Sequence, residues 1–135
     1  HHWLTPTEYD EFGQRYDLEV LNAVRERSEI TILHLHGQAI FFGLAERYPV
    51  HAVSWHDRET APSLVEAKAR TGLALVTGLD RVLLDHGPVG SIRAQVREAL
   101  AQTEGRGLIL APSCVIPTTA PAEHLKAVRD SIGTQ

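Results

Sequence analysis

Apolar positions fall into two rhythms that alternate along the chain. Tyr9, Phe12, Tyr16, Val20 and Val24 recur at helical spacing. Ahead of them, Thr5-Pro6-Thr7-Glu8 reads as a capping box with proline at the first helical position. The spacing predicts a helix to about Glu26 with a break near Gly13. Residues 30–36 (ITILHLH) are β-branched and apolar over a strand's length. Further strands are predicted at 50–55, 73–77 and 107–111. Between them, helical patterns occupy 37–47, 62–70, 80–86 and 90–102, and a last helix covers 121–132. Ser63 and Glu66 form a capping pair in the first turn of the 62–70 helix, and Leu125, Val128 and Ile132 are spaced by three and four in the last.

The strands are short and almost wholly apolar, the pattern of strands covered on both faces. Strands that alternate with helices predict a parallel sheet. A (β/α) barrel and a doubly wound sheet both suit units of this length. No linker divides the chain, so residues 1–135 are expected to form one domain, with 1–4 as tag or linker residues.

Composition narrows the function classes. Apolar residues make up 43% and charged residues 22% of the chain, ordinary for a soluble domain. The net charge of -4, from 17 acidic and 13 basic residues, gives no surplus to hold a phosphate backbone, so nucleic acid is not an expected partner. No apolar run is long enough for a membrane span. A single cysteine, Cys114, excludes an internal disulfide framework and points to a reducing cytoplasm. Eight histidines and no methionine stand out, and the missing initiator, with His1-His2 as tag remnants, points to a piece of a longer protein.

Polar residues gather where the strands end. The first strand closes on His34-Leu35-His36-Gly37, the second on Trp55-His56-Asp57-Arg58, the third on Gly78-Leu79-Asp80, and the fourth on Ser113-Cys114. In parallel α/β folds those ends carry the chemistry, which favours an enzyme over a binding module. His34 and His36, two apart on a strand, point to one face. With Cys114 as a third ligand they would leave one coordination position open, the layout of a catalytic zinc site. The same imidazoles also suit hydrogen bonds to loop carbonyls or a substrate carboxylate. Cys114, bracketed by Pro112 and Pro117, is alternatively a nucleophile with His34 or His36 as its base, or a small buried space-filler. Asp57 is a candidate for orienting a histidine or moving a proton. Arg58 either grips a substrate carboxylate or pairs with Asp57 to pin the loop. Asp80 either faces the same mouth or caps the next helix. His51, His86 and His124 are expected in loops or on helix surfaces, without a role.

Taken together, HLHG, SWHDR, TGLD and ILAPSCVIPTTAPAEHLKAVRDSI resemble the uroporphyrinogen decarboxylase superfamily over residues 5–132. That superfamily also holds the cobamide-dependent methyltransferases and, more distantly, cobalamin-independent methionine synthase. The resemblance implies the C-terminal half of a (β/α)8 TIM barrel, completed by a missing N-terminal half or by a homodimer. Gly78-Leu79-Asp80 is similar to the family's Gly-Asn-Leu-Asp region. The decarboxylases carry Gly-His-Gly after the last strand; the corresponding Pro112-Ser113-Cys114 has Ser113 in the histidine's place. The methyltransferases carry His-x-Cys and, much later, a second Cys. His34, His36 and Cys114 stand at the matching positions, with His36 in place of the first cysteine. This resemblance implies a zinc ion, a thiol cosubstrate and a corrinoid methyl donor. The alternatives it leaves are metal-free uroporphyrinogen III decarboxylation in porphyrin and heme biosynthesis, with a tetrapyrrole substrate, and a non-catalytic module descended from the same barrel.

Overall fold

Four parallel strands lie side by side in chain order: β1 (Ile32–Leu35), β2 (Ala52–Trp55), β3 (Ala74–Leu79) and β4 (Leu108–Pro112). This is a computed structural model; it describes residues 3–133, and the tag reading of His1 and His2 lies outside them. Helices α3 (Gly43–Arg47), α4 (Leu64–Arg70), α5 (Arg81–His86) and α6 (Val89–Thr103) fill the connections, and α7 (Ala122–Ile132) follows β4. Each crossover leads to the adjacent strand, without the reversal of order that marks a doubly wound sheet. The arrangement is that of half a (β/α)8 barrel wall.

The pleat gives the sheet two unlike faces. Leu35 pairs with Trp55, Val53 with Leu75, and Leu75 with Leu108. These positions join a core with Leu64 and Ala67 of α4 and Ala99 of α6. A second core cluster joins Leu79 and Leu84 to Ile92 and Val96 of α6. The opposite face carries Ile32, His34, Ser54, Val76 and Ile109; Ile32 and Ile109 are 45% and 46% exposed. His34, between Leu33 and Leu35, is turned to this open face by the strand's two-residue period.

Gly78 lets α6 approach the sheet. Its φ is 109°, a conformation that favours glycine, and a Cβ there would stand 3.0 Å from Leu110 Cδ1 and 3.2 Å from Ala99 Cβ.

Several expectations need correction. The first helix runs as α1 (Pro6–Tyr9), a π-helical segment (Asp10–Gln14) and α2 (Arg15–Val24). Thr5 caps it as predicted, with Glu8 completing the box. The π segment adds a residue to the turn and puts Tyr9 out of phase with the positions that follow. A Cβ at Gly13 would lie 2.9 Å from the Tyr9 ring, so glycine lets that ring fold across the turn. Tyr9, Leu18 and Leu21 therefore pack on the core, whereas Phe12, Tyr16, Val20 and Val24, which share the helical spacing of Tyr9 in the sequence, are exposed. On α7 the buried positions are His124, Ala127 and Ser131, while Leu125 and Ile132 are exposed. Small residues allow α7 to sit closely, and His124 Nδ1 lies 2.8 Å from the Leu84 carbonyl oxygen. The helix expected over 37–47 is confined to Gly43–Arg47, after an irregular stretch that begins at Gly37, φ 99°. That stretch seats Phe42 edge-on against Trp55, ring centres 5.2 Å apart. Ser63 is the N-cap of α4 itself rather than a member of its first turn.

Candidate metal centre

His34 and His36 leave the C-terminal end of β1, His56 follows β2, and Cys114 follows β4. One ligand atom from each lies within 4.8 Å of every other. The sheet order brings these ends together: His34 and Ser54 are register partners, and β3 aligns the ends of β2 and β4. His36 and His56 meet edge-on with ring centres 5.0 Å apart, and His34 lies 6.0 Å from His36 and 6.1 Å from His56.

His34 and His56 are each held by a polar contact of their own. His34 Nδ1 is 3.2 Å from Ser54 Oγ, which leaves Nε2 for a ligand. His56 is 3% exposed, and its Nε2 has no hydrogen-bond partner among the described residues. Its Nδ1 lies 3.3 Å from Glu59 Oε1. A turn explains that approach, because the His56 carbonyl accepts hydrogen bonds from the N–H groups of Glu59 and Thr60, both at 2.9 Å. Cys114 is a half-buried free thiol. Ser113 positions it: its N–H donates to the Leu79 carbonyl at 3.2 Å, extending the strand pairing one residue past Pro112.

Asp57, Arg58 and Asp80 surround this cluster in different ways. The buried Asp57 Oδ1 accepts from the Gly78 N–H at 3.1 Å and from Ser113 Oγ at 3.2 Å, and Thr77 Oγ1 is also within hydrogen-bond reach. Arg58 Nε lies 3.2 Å from Asp57 Oδ2. The same guanidinium donates to the Gly78 carbonyl and, at 3.0 Å, to Glu98. Asp80 accepts from the N–H groups of Val82 and Leu83, which makes it the N-cap of α5. The other histidines stand apart from the cluster. His51 Nδ1 accepts from the Thr31 N–H, His86 is paired with Asp85, and His124 is buried rather than on the surface.

The donor set suits a metal. Burial, with smaller contributions from His56 and His36, holds the His34 pKa below its ordinary value. That keeps the imidazole neutral, the form that ligates. Ligands around one zinc stand roughly 3.3–3.8 Å apart, given bond lengths of about 2.0–2.3 Å. The cluster is wider than that by about 1 Å, a distance within reach of small side-chain rotations. Three nitrogens and a sulfur match the preference of zinc. His56 is the member that sequence spacing did not assign as a ligand. Its signal lay in its place immediately past a strand neighbouring that of His34, but Asp57 and Arg58 beside it claimed that segment for acid–base and carboxylate chemistry.

Parallel strands with helices on one face, and reactive side chains at their C-terminal ends, define a barrel-type α/β protein with its chemistry at the mouth. The family model for uroporphyrinogen decarboxylase (URO-D) matches residues 1–134, and the chain belongs to that family. Members of this family are generally enzymes. No curated protein matches the chain. No helix among the described residues is long and apolar enough to cross a membrane.

Proposed function

We propose that this chain supplies the zinc site of a thiol-dependent methyltransferase, with His34, His36 and Cys114 as ligands. The observation that carries the reading is the convergence of histidine and cysteine ligand atoms within 4.8 Å at the strand ends. A zinc ion held by these residues would supply the Lewis acidity that activates a thiol at neutral pH to accept a methyl group from a corrinoid. The rest is the work of the protein's own side chains. His34 offers a neutral nitrogen steadied by Ser54, and Cys114 offers a thiolate placed by Ser113. Asp57, with Arg58, holds the ends of β2, β3 and β4 in register, and Asp80 fixes the start of α5. A cleft of about 400 Å³ opens beside His34 and Cys114, lined also by Ser54, Val76 and Ala111. Its apolar walls and size suit a small thiol. A reducing cytoplasm fits a site that needs Cys114 as a free thiolate. In this reading further barrel strands, from the parent chain or a second copy, cover the open sheet face.

A second reading is the decarboxylation for which the matched family model is described. It needs no metal, and it needs cations for the substrate's carboxylates. The guanidinium of Arg58 is already engaged by Asp57, Glu98 and the Gly78 carbonyl, and that of Arg81 is paired with Glu59. The test is methyl transfer from methylcobalamin to small thiols by the zinc-loaded protein, alongside turnover of uroporphyrinogen. Thiol methylation that chelation abolishes supports the first reading. Decarboxylation that survives chelation overturns it.

A further inference from the structure

We propose that His56 is a fourth ligand of this metal, positioned by the Glu59 carboxylate. The inference rests on the metal reading above and adds two residues to it. Three observations converge. His56 Nε2 is buried and has no hydrogen-bond partner among the described residues. A buried polar atom without a partner is costly, so a ligand for it is expected. That imidazole belongs to the group whose ligand atoms lie within 4.8 Å of one another. The other ring nitrogen, Nδ1, faces Glu59 Oε1 at 3.3 Å. A carboxylate beside Nδ1 keeps the proton on that nitrogen and leaves Nε2 as the nitrogen free to ligate. The turn closed on the His56 carbonyl fixes the spacing, because it returns Glu59 to the imidazole three residues away. Arg81 Nε lies 3.7 Å from the same carboxylate oxygen.

The consequence is a three-nitrogen, one-sulfur donor set. A thiol then enters as a fifth donor, an expansion that zinc sites allow. The site also carries one positive charge when filled, from a dipositive ion and a single thiolate.

The experiment titrates the whole chain, and its His56→Ala, His56→Cys and Glu59→Gln variants, with Zn2+ and Co2+. The readouts are affinity and the visible absorption of the cobalt form. Four-coordinate cobalt absorbs several-fold more strongly than five- or six-coordinate cobalt. His56→Ala should lose at least about tenfold in zinc affinity and weaken the cobalt bands. His56→Cys, which restores a ligand, should recover both and strengthen the sulfur-to-cobalt charge-transfer band. Glu59→Gln, at a partly exposed position, should lose roughly tenfold in affinity and keep the four-coordinate spectrum. Wild-type affinity and spectrum in His56→Ala would overturn the inference and leave a metal held by His34, His36 and Cys114. A wild-type protein that binds neither ion would overturn the metal reading itself.

Discussion

Ser113 Oγ donates a hydrogen bond to Asp57 Oδ1 at 3.2 Å, and each of these residues is the immediate neighbour of a member of the metal cluster. Ser113 precedes Cys114, and Asp57 follows His56. The contact joins the end of β4 to the end of β2 across β3, and the Gly78 N–H completes it from the strand between. Replacing Asp57 by Ala leaves the Gly78 N–H without its acceptor, leaves Ser113 Oγ only the Leu79 carbonyl, and takes from Arg58 one of its two carboxylates. The variant should lose about 3 kcal/mol in urea denaturation. Its zinc affinity should fall by roughly tenfold as the ligand-bearing ends part. Unchanged affinity in a folded Asp57→Ala protein would show that the ligands hold their places without this tie.

The N-terminal helix is fastened by another shared carboxylate. Tyr9 and Tyr48 both donate to Asp17 Oδ2, at 2.7 and 2.6 Å. Burial, reinforced by Asp17, raises the pKa of both phenols. Asp17→Asn should destabilise the fold by about 2 kcal/mol, the range for hydrogen bonds to a charged acceptor. Ultraviolet titration should show both tyrosines ionising at lower pH than in the parent. Tyrosine ionisation that does not move would contradict the role given to Asp17.

Acid should weaken the start of α4. Glu66 Oε2 accepts from the backbone N–H of Ser63 and from its hydroxyl, both at 2.8 Å. Those bonds, the backbone one foremost, lower the Glu66 pKa from its ordinary 4.5. A carboxylate with a depressed folded-state pKa adds stability above its unfolded value, and that stability is lost as pH falls through the folded value. Melting curves of the parent and Glu66→Gln should therefore differ at neutral pH and converge in acid, as the pH falls through the depressed folded-state value. A difference that persists unchanged into acid would assign the effect to shape rather than charge.

Gly78 is expected to reject a side chain. Its φ of 109° and the 3.0 Å approach of Leu110 act together, so Gly78→Ala should cost about 2 kcal/mol or more. Because the Gly78 N–H also donates to Asp57, the same variant should weaken zinc binding. Chemical denaturation and zinc titration of one preparation check both, and parental stability would refute the close approach of α6.

The alternation of strands and helices was readable because apolar runs and capping residues are local signals; Thr5 and Asp80 cap the helices their positions suggested. The buried faces of the first and last helices were not, whereas Ile92, Val96 and Ala99 of α6 are buried together on the one face their spacing marks. Periodicity finds an apolar stripe without saying which side meets the core. The π segment near Gly13 and the small residues of α7 then decided against Phe12, Tyr16 and Leu125. His34, His36 and Cys114 were legible as candidate ligands from the strand's two-residue period, their place at strand ends and a family resemblance. His56 was not, because its burial and its unpaired nitrogen arise only when β2 is laid beside β1.

The most direct measurement is the metal content of the protein purified without chelator, determined by elemental analysis beside a Cys114→Ser variant. A cluster of three imidazoles and one thiol, all within 4.8 Å, predicts zinc at close to one ion per chain in the parent. Cys114→Ser should retain little of it, whereas replacement of the exposed His86 should retain all. A folded parent that carries no zinc, and takes up none when it is supplied, would contradict the account.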